Sequence, residues 1–226
     1  MELIQKLEIL RKCNENLRVL FPEQHVDIQL EEIEKVYVRN VLSFEADAKT
    51  KKGSKDGFLT GIQYFVSANL SGIEVCVARS EGCTKACLVF AGRGRFYWTT
   101  RQRAIKTLAY IFDKPRYGET LKKSIKKLIK RAEKLNMVPV VRLNGTSDLL
   151  WDLNTDIIQS FPEVQFYDYT KIVRRLDFKR PENYHLTFSL SENNDLDALK
   201  ALSKGVSVAV VFAGEDRKST RLNSSH

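Results

Sequence analysis

The chain has 226 residues, 43% of them hydrophobic and 29% charged, which is enough for one ordinary domain core and excludes global disorder. No run of about 18 apolar residues occurs, so no transmembrane helix is expected, and Met1-Glu2-Leu3-Ile4-Gln5-Lys6 lacks the basic-then-apolar pattern of a secretory leader. The expectation is a cytoplasmic protein with reduced thiols, and the formal net charge of +9 points to a polyanionic partner without specifying a fold.

In chain order, Leu3, Leu7, Leu10, Leu17 and Leu20 recur at helical spacing with Ile4 and Ile9 beside them, and Pro22 ends the run. This predicts an amphipathic helix over residues 1–20, suited to packing or to a partner. A short strand is expected at Lys35–Leu42. A charged loop, residues 49–57, then separates a lead-in (1–56) from the domain proper (57–215). Gly61–Ala68 reads as a strand and Thr99–Phe112 as a helix. Tyr117–Leu135 is the clearest helix, with Leu121, Ile125, Leu128, Ile129, Ala132 and Leu135 as its apolar stripe and seven lysines and arginines elsewhere. Strand Val138–Leu143, helix Asp156–Ser160, strand Val164–Tyr169, strand Tyr184–Leu190, helix Leu196–Leu202 and strand Val206–Phe212 follow. This alternation argues for a parallel α/β sheet.

Strand parity refines the architecture. Tyr184, Leu186, Phe188 and Leu190 share one face, while His185, Thr187, Ser189 and Ser191 share the other. A doubly wound sheet buries both faces, so a wholly polar face on an internal strand argues against it. Arg142 and Asn144 are expected to share a polar face in the same way. The expected fold is α/β, a partial or distorted (β/α) barrel-like sheet with an N-terminal helical extension, whose function sits at the C-terminal strand ends. There lie Asn144-Gly145-Thr146-Ser147-Asp148, Asp168-Tyr169-Thr170-Lys171 and Ser189-Leu190-Ser191-Glu192. Asp148, Asp168, Lys171 and His185 are the catalytic candidates, and Arg142, Asn144 and Ser189 the substrate-binding ones.

The sharpest local feature is Cys76, Cys83 and Cys87, spaced C-x6-C-x3-C. Three thiolates suit a soft or borderline metal and leave a position open to a substrate or external ligand. Zinc with a fourth ligand, His185 being available, and an iron–sulfur cluster with one open iron both fit; so does a structural trio of small residues. Cys83 and Cys87 are expected on one helical face, with Gly82 supplying the turn that returns Cys76. Gly92-Arg93-Gly94-Arg95 offers backbone N–H groups and two guanidiniums, Arg93 and Arg95, to a phosphate, or is simply a tight turn. The lysine-rich helix suits a nucleic-acid backbone or is the wet side of an outer helix.

Seven ordered blocks resemble the bacteriophage "gene product 88" domain family. They are 68–72 (Ala-Asn-Leu-Ser-Gly), the Cys76/Cys83/Cys87 set, 91–94 (Ala-Gly-Arg-Gly), 141–148 (Val-Arg-Leu-Asn-Gly-Thr-Ser-Asp), 164–171 (Val-Gln-Phe-Tyr-Asp-Tyr-Thr-Lys), 183–189 (Asn-Tyr-His-Leu-Thr-Phe-Ser) and 208–212 (Val-Ala-Val-Val-Phe). The resemblance covers roughly residues 57–215 and implies a protein of phages and related mobile elements, working in the host cytoplasm. Val77 stands where relatives tend to have proline. Residues 216–226 resemble one translated frame of a sequencing adapter; excluding them leaves a charge of +7 and implies that the native chain continues differently after about Glu215. The layout is also distantly similar to radical S-adenosylmethionine barrels, although the cysteine spacing is not C-x3-C-x2-C.

The expected function is a three-cysteine metal or iron–sulfur enzyme acting on nucleic acid or a nucleotide-like substrate. The rival is a non-catalytic module that binds nucleic acid or a host protein and keeps its cysteines for structure.

Overall fold

The computed structural model describes residues 1–44 and 53–211, with only the backbone of Arg93. Within it, β1 (Phe58–Ile62), β2 (Val138–Arg142), β3 (Gln165–Thr170), β4 (Tyr184–Ser189) and β5 (Val208–Ala209) form one sheet in that spatial order. All four neighbouring pairs are parallel. Right-handed crossovers between strands in simple sequential order carry every connection over the same face. A doubly wound sheet instead reverses its strand order midway.

Burial agrees with this one-sided cover. Leu59, Val141, Phe166, Leu186 and Phe188 lie on the packed face, within the same apolar cluster as the helices. Between them, pointing the other way, are Thr60, Tyr167, His185, Thr187 and Ser189, all exposed or half-buried. Ile62 and Val140 also point that way; both are buried, yet they stand outside the cluster. The sheet thus carries its apolar cluster on one face and a mostly polar row on the other, which is covered at Ile62 and Val140.

Four longer helices form the outer layer: α1 (Leu3–Leu20), α2 (Tyr97–Phe112), α3 (Lys114–Leu135) and α4 (Asp195–Ser203). Helix α3 starts where Asp113 accepts the Arg116 N–H at 3.0 Å, beside Pro115, and stops at Asn136, whose left-handed φ of 52° breaks the ladder. Its Tyr117, Leu121, Ile125, Leu128 and Ala132 are fully buried. Each large apolar side chain so buried contributes about 1.5–3 kcal/mol, which outweighs the weak intrinsic preferences along the helix. Helix and sheet meet closely at Gly61, where a Cβ would stand 3.0 Å from Leu128 Cδ2. A side chain there would push α3 off β1.

The lead-in shares this core. Leu10, Cys13 and Leu17 of α1 are buried with Ile28, Ile33, Tyr37 and Leu42, whereas Leu3, Ile4 and Leu7 are exposed. The strand expected at Lys35–Leu42 is instead a short helix, Leu30–Glu34, continued by a 3-10 turn, Lys35–Val38. Its start is fixed by a capping box between Gln29 and Glu32. Glu32 is also held by Arg101 of α2 at 2.7 and 2.8 Å. Strand β1 begins three residues before the expected Gly61 and ends at Ile62, because Thr146 then takes over the Phe65 backbone (N–H to Oγ1 3.1 Å, Oγ1 to O 2.6 Å). The helix expected at Asp156–Ser160 is a turn, and the single helical turn lies earlier, at Trp151–Asn154. Strand β5 is two residues long, with Val206 packed into the core rather than paired. Phe212 and the adapter-like tail lie outside the described residues.

Candidate functional site

The cysteine loop leaves β1 and returns across the C-terminal ends of the strands. The Asp148 N–H donates to the Val75 carbonyl at 2.8 Å, and the Cys76 thiol faces the Thr146 carbonyl at 3.8 Å, which ties the loop to the exit of β2. Glu192, beyond β4, accepts from the Ser80 hydroxyl at 2.7 Å and the Gly82 N–H at 2.6 Å. Ser80 also caps the short helix Glu81–Lys85 by accepting the Cys83 N–H at 3.0 Å. Gly82 has no positive φ. The turn expected of it is absent; a Cβ there would stand 2.7 Å from Glu192 Oε1, so close approach of the carboxylate is what favours glycine.

Cys76, Cys83 and Cys87 are all half-buried free thiols. Burial pushes Cys76 up to about 12, with further contributions from the negative charges of Asp148, Cys87 and Cys83. Cys87 is raised by burial and, secondarily, by Cys83. Cys83 thus contributes to the raised values of both Cys76 and Cys87. The thiols do not share a helical face, because the helix stops at Lys85 and Cys87 precedes a 3-10 turn, Leu88–Phe90. Among the described residues, no three His, Cys, Asp or Glu side chains converge as a single bound ion requires.

Beneath the loop lies a buried polar frame. Arg175, fully buried, donates to Asp152 at 2.7 Å, to Asp148 at 3.1 Å and to the Tyr184 hydroxyl at 2.5 Å. Tyr184 passes its proton bond to Asp168 at 3.1 Å, and Asp168 accepts the Asn144 backbone N–H at 2.7 Å and side-chain amide at 3.2 Å. Burial lifts Asp168 to about 7 despite these donors. Asp148 is raised as well, again by burial, although Lys171 N–H, Thr170 and Arg175 all donate to it. This frame joins the loops after β2 and β3 into one unit.

The expected site residues are therefore divided. Lys171 and Ser189 meet at the mouth, Nζ to Oγ 3.0 Å. Arg142 lies over the Tyr169 ring at 4.8 Å, on the polar face. Asn144 does not share that face, because alternation ends with β2 and its side chain turns under to Asp168. Asp148 and Asp168 are internal struts. His185 is exposed on the polar face, but four residues before Ser189 and so about 13 Å lower along the strand. It lines a groove of about 590 Å³ with Phe58, Thr60, Gln165 and Tyr167, away from the thiols, and is not placed as their fourth ligand. Arg95 is exposed and donates back to Gly92 O at 3.3 Å; the Arg93 side chain lies outside the described residues. Sequence reasoning missed Arg175, Tyr184 and Glu192 as organisers of the site. Only burial distinguishes Arg175 from its neighbour Arg174, and no motif marks either one.

A one-sided parallel α/β sheet with a thiol loop over its C-terminal strand ends defines the class of this domain. The family model described as Gene product 88 matches residues 40–225, so the chain belongs to that family, the bacteriophage family its sequence resembles. The match begins earlier than the seven blocks and runs into the adapter-like tail. No curated protein and no solved structure matches the chain.

Proposed function

We propose that Cys76, Cys83 and Cys87 jointly hold a metal centre at the mouth of the sheet, and that the protein acts there on nucleic acid or a nucleotide-like substrate. The observation that carries this reading is the docking of the thiol loop, by Glu192 and Asp148, over the end of a parallel sheet where ligands bind in such folds. Burial, and secondarily the neighbouring thiols, disfavour ionisation of Cys76 and Cys87, and the charge of a bound cation would offset that penalty. Because the three thiols do not converge as a single ion requires, the centre proposed is an iron–sulfur cluster, whose ligands spread more widely than those of one zinc. When bound, such a centre supplies Lewis-acid or electron-transfer chemistry at its open position.

The chain's own residues bind and orient. The Lys171 ammonium, steadied by Ser189, and the Arg142 guanidinium, steadied by Tyr169, present two cations at the rim to an anionic substrate. Asp148 holds the Lys171 backbone, and Asp168 holds Asn144, so both carboxylates act as positioning residues.

The second reading, a non-catalytic nucleic-acid-binding module, rests on the exposed Lys123, Lys126, Lys127 and Lys130 of α3. Anaerobic purification with metal and sulfide analysis separates the two. Bound iron and sulfide lost in each cysteine-to-serine variant supports the first reading, and oligonucleotide binding by a metal-free chain whose cysteine variants are unimpaired supports the second.

A further inference from the structure

We propose that the pocket between the lead-in and α2 binds a small phosphorylated molecule, whose phosphoryl group is held by Lys106 and Arg39. The pocket shares no lining residue with the thiol loop, and the proposal does not rest on the metal reading.

The pocket forms where the chain leaves the 3-10 turn Lys35–Val38 and crosses α2. Ile105 and Lys106 lie three and four residues after Gln102 on that helix, so the three present one face to it. Its volume is about 260 Å³. Sites for drug-sized ligands run from roughly 300 to 1,000 Å³, so this one selects a small occupant.

Charge selects an anion. Lys106 is half-buried, and its ammonium donates to the Val41 carbonyl at 3.2 Å. That bond uses one of its three protons and leaves the others for a ligand. Burial pulls the Lys106 ammonium down to about 8, and its charged neighbour is Arg103, a second cation that lowers it further. At neutral pH it is still charged, so it is desolvated with no acidic partner among the described residues. Glu32 lines the pocket, but its carboxylate is taken by Arg101 at 2.7 and 2.8 Å. Lys35 at the rim is taken in turn by Glu31 at 2.6 Å. A bound anion would supply the counter-charge that Lys106 lacks.

The donor set selects phosphate. Arg39 stands exposed at the rim, and a guanidinium holds two oxygens of one phosphoryl group while an ammonium acts as a point charge on a third. A phosphomonoester brings about −1.5 to −2 charges and three acceptor oxygens, which matches two cations better than the single charge of a carboxylate. Val36, Val41 and Ile105 give its carbon body an apolar wall, and the exposed Gln102 amide gives it a hydrogen-bond partner.

Calorimetric titration of the full chain with inorganic phosphate, glycerol 3-phosphate and malonate in a chloride buffer tests this. Both phosphates are expected to bind at one site, glycerol 3-phosphate more tightly because its carbons reach the apolar wall, and malonate weakly. Arg39→Gln should raise the Kd for glycerol 3-phosphate roughly tenfold, and Lys106→Met should abolish binding. Lys106→Met exchanges a desolvated charge for an apolar chain, so without phosphate it should melt no lower than the wild type. A lysine kept only for its Val41 contact would instead melt lower and leave phosphate binding in place, which would count against the site. Arg39 is exposed, so its variant decides the matter even where Lys106→Met fails to fold. No saturable phosphate binding, equal binding of malonate, or a Kd unchanged in Arg39→Gln would each overturn the proposal.

Discussion

Ser80 donates to the carboxylate of Glu192 at 2.7 Å, although 112 residues separate them. Through this bond the loop that carries the thiols is fastened to the far side of the sheet. Its partner bond from the Gly82 N–H makes the clasp two-pronged.

Glu192→Ala is expected to speed amide hydrogen exchange across residues 80–85 severalfold while leaving β3 and β4 unchanged. The Ser80 hydroxyl, first among its partners, lowers the Glu192 carboxyl below its usual value. The clasp is therefore fully present above the unfolded value of about 4.3, and weakens as pH falls through the lower folded one. Unchanged exchange in the variant would mean that the loop holds itself in place.

Arg175→Met leaves Asp148 and Asp152 buried without their cation. Breaking a buried pair from one side costs about 3–5 kcal/mol, and a loss of that size is expected in urea unfolding. A change below about 1 kcal/mol would show that the frame relaxes to admit water.

Asp168 titrates at about 7 in the folded chain because burial disfavours its charge. The folded state thus holds a proton that the unfolded state has already lost, and stability falls as pH rises from about 4 to 7. Asp148, also raised, adds to the same slope. Asp168→Asn should flatten it, as read from melting temperatures across that range. A slope unaltered by the substitution would assign it to other groups.

Neutralising Arg142 and Lys171 together should reduce the slope of log affinity against log salt for a single strand by about 1.4. The same change at Lys126 and Lys130 should leave the slope unaltered, and Lys122 is already bridged to Asp156 at 2.9 Å and Glu119 at 3.4 Å. A slope that responds only to the α3 lysines would move the binding surface to that helix.

How much of this was legible in the sequence follows from the range of the interactions involved. Helix α3 and strands β2, β3 and β4 lie within a few residues of expectation, since their apolar periods are long and their stops, Pro115 and Asn136, are local. The alternation that set His185, Thr187 and Ser189 apart from Tyr184, Leu186 and Phe188 holds, with the first three on the face opposite the apolar cluster. The Lys35–Leu42 segment misled because Val36, Tyr37, Val38 and Val41 favour strands, while its helix is set by the Gln29–Glu32 box and by Arg101 from another helix. Asn144 misled because parity applies only while the strand lasts. The clasp and the Arg175 frame join residues far apart in the chain, and no local pattern announces them.

The central claim is tested most directly by iron, sulfide and zinc content per chain after anaerobic reconstitution, in the wild type and in four single cysteine-to-serine variants. The account predicts iron and sulfide in the wild type, most of it lost on replacing Cys76, Cys83 or Cys87, and none lost on replacing Cys13, which lies on the buried side of α1 and is raised to about 12 by burial alone. A wild type that takes up no metal, or uptake that survives all three substitutions, would contradict it.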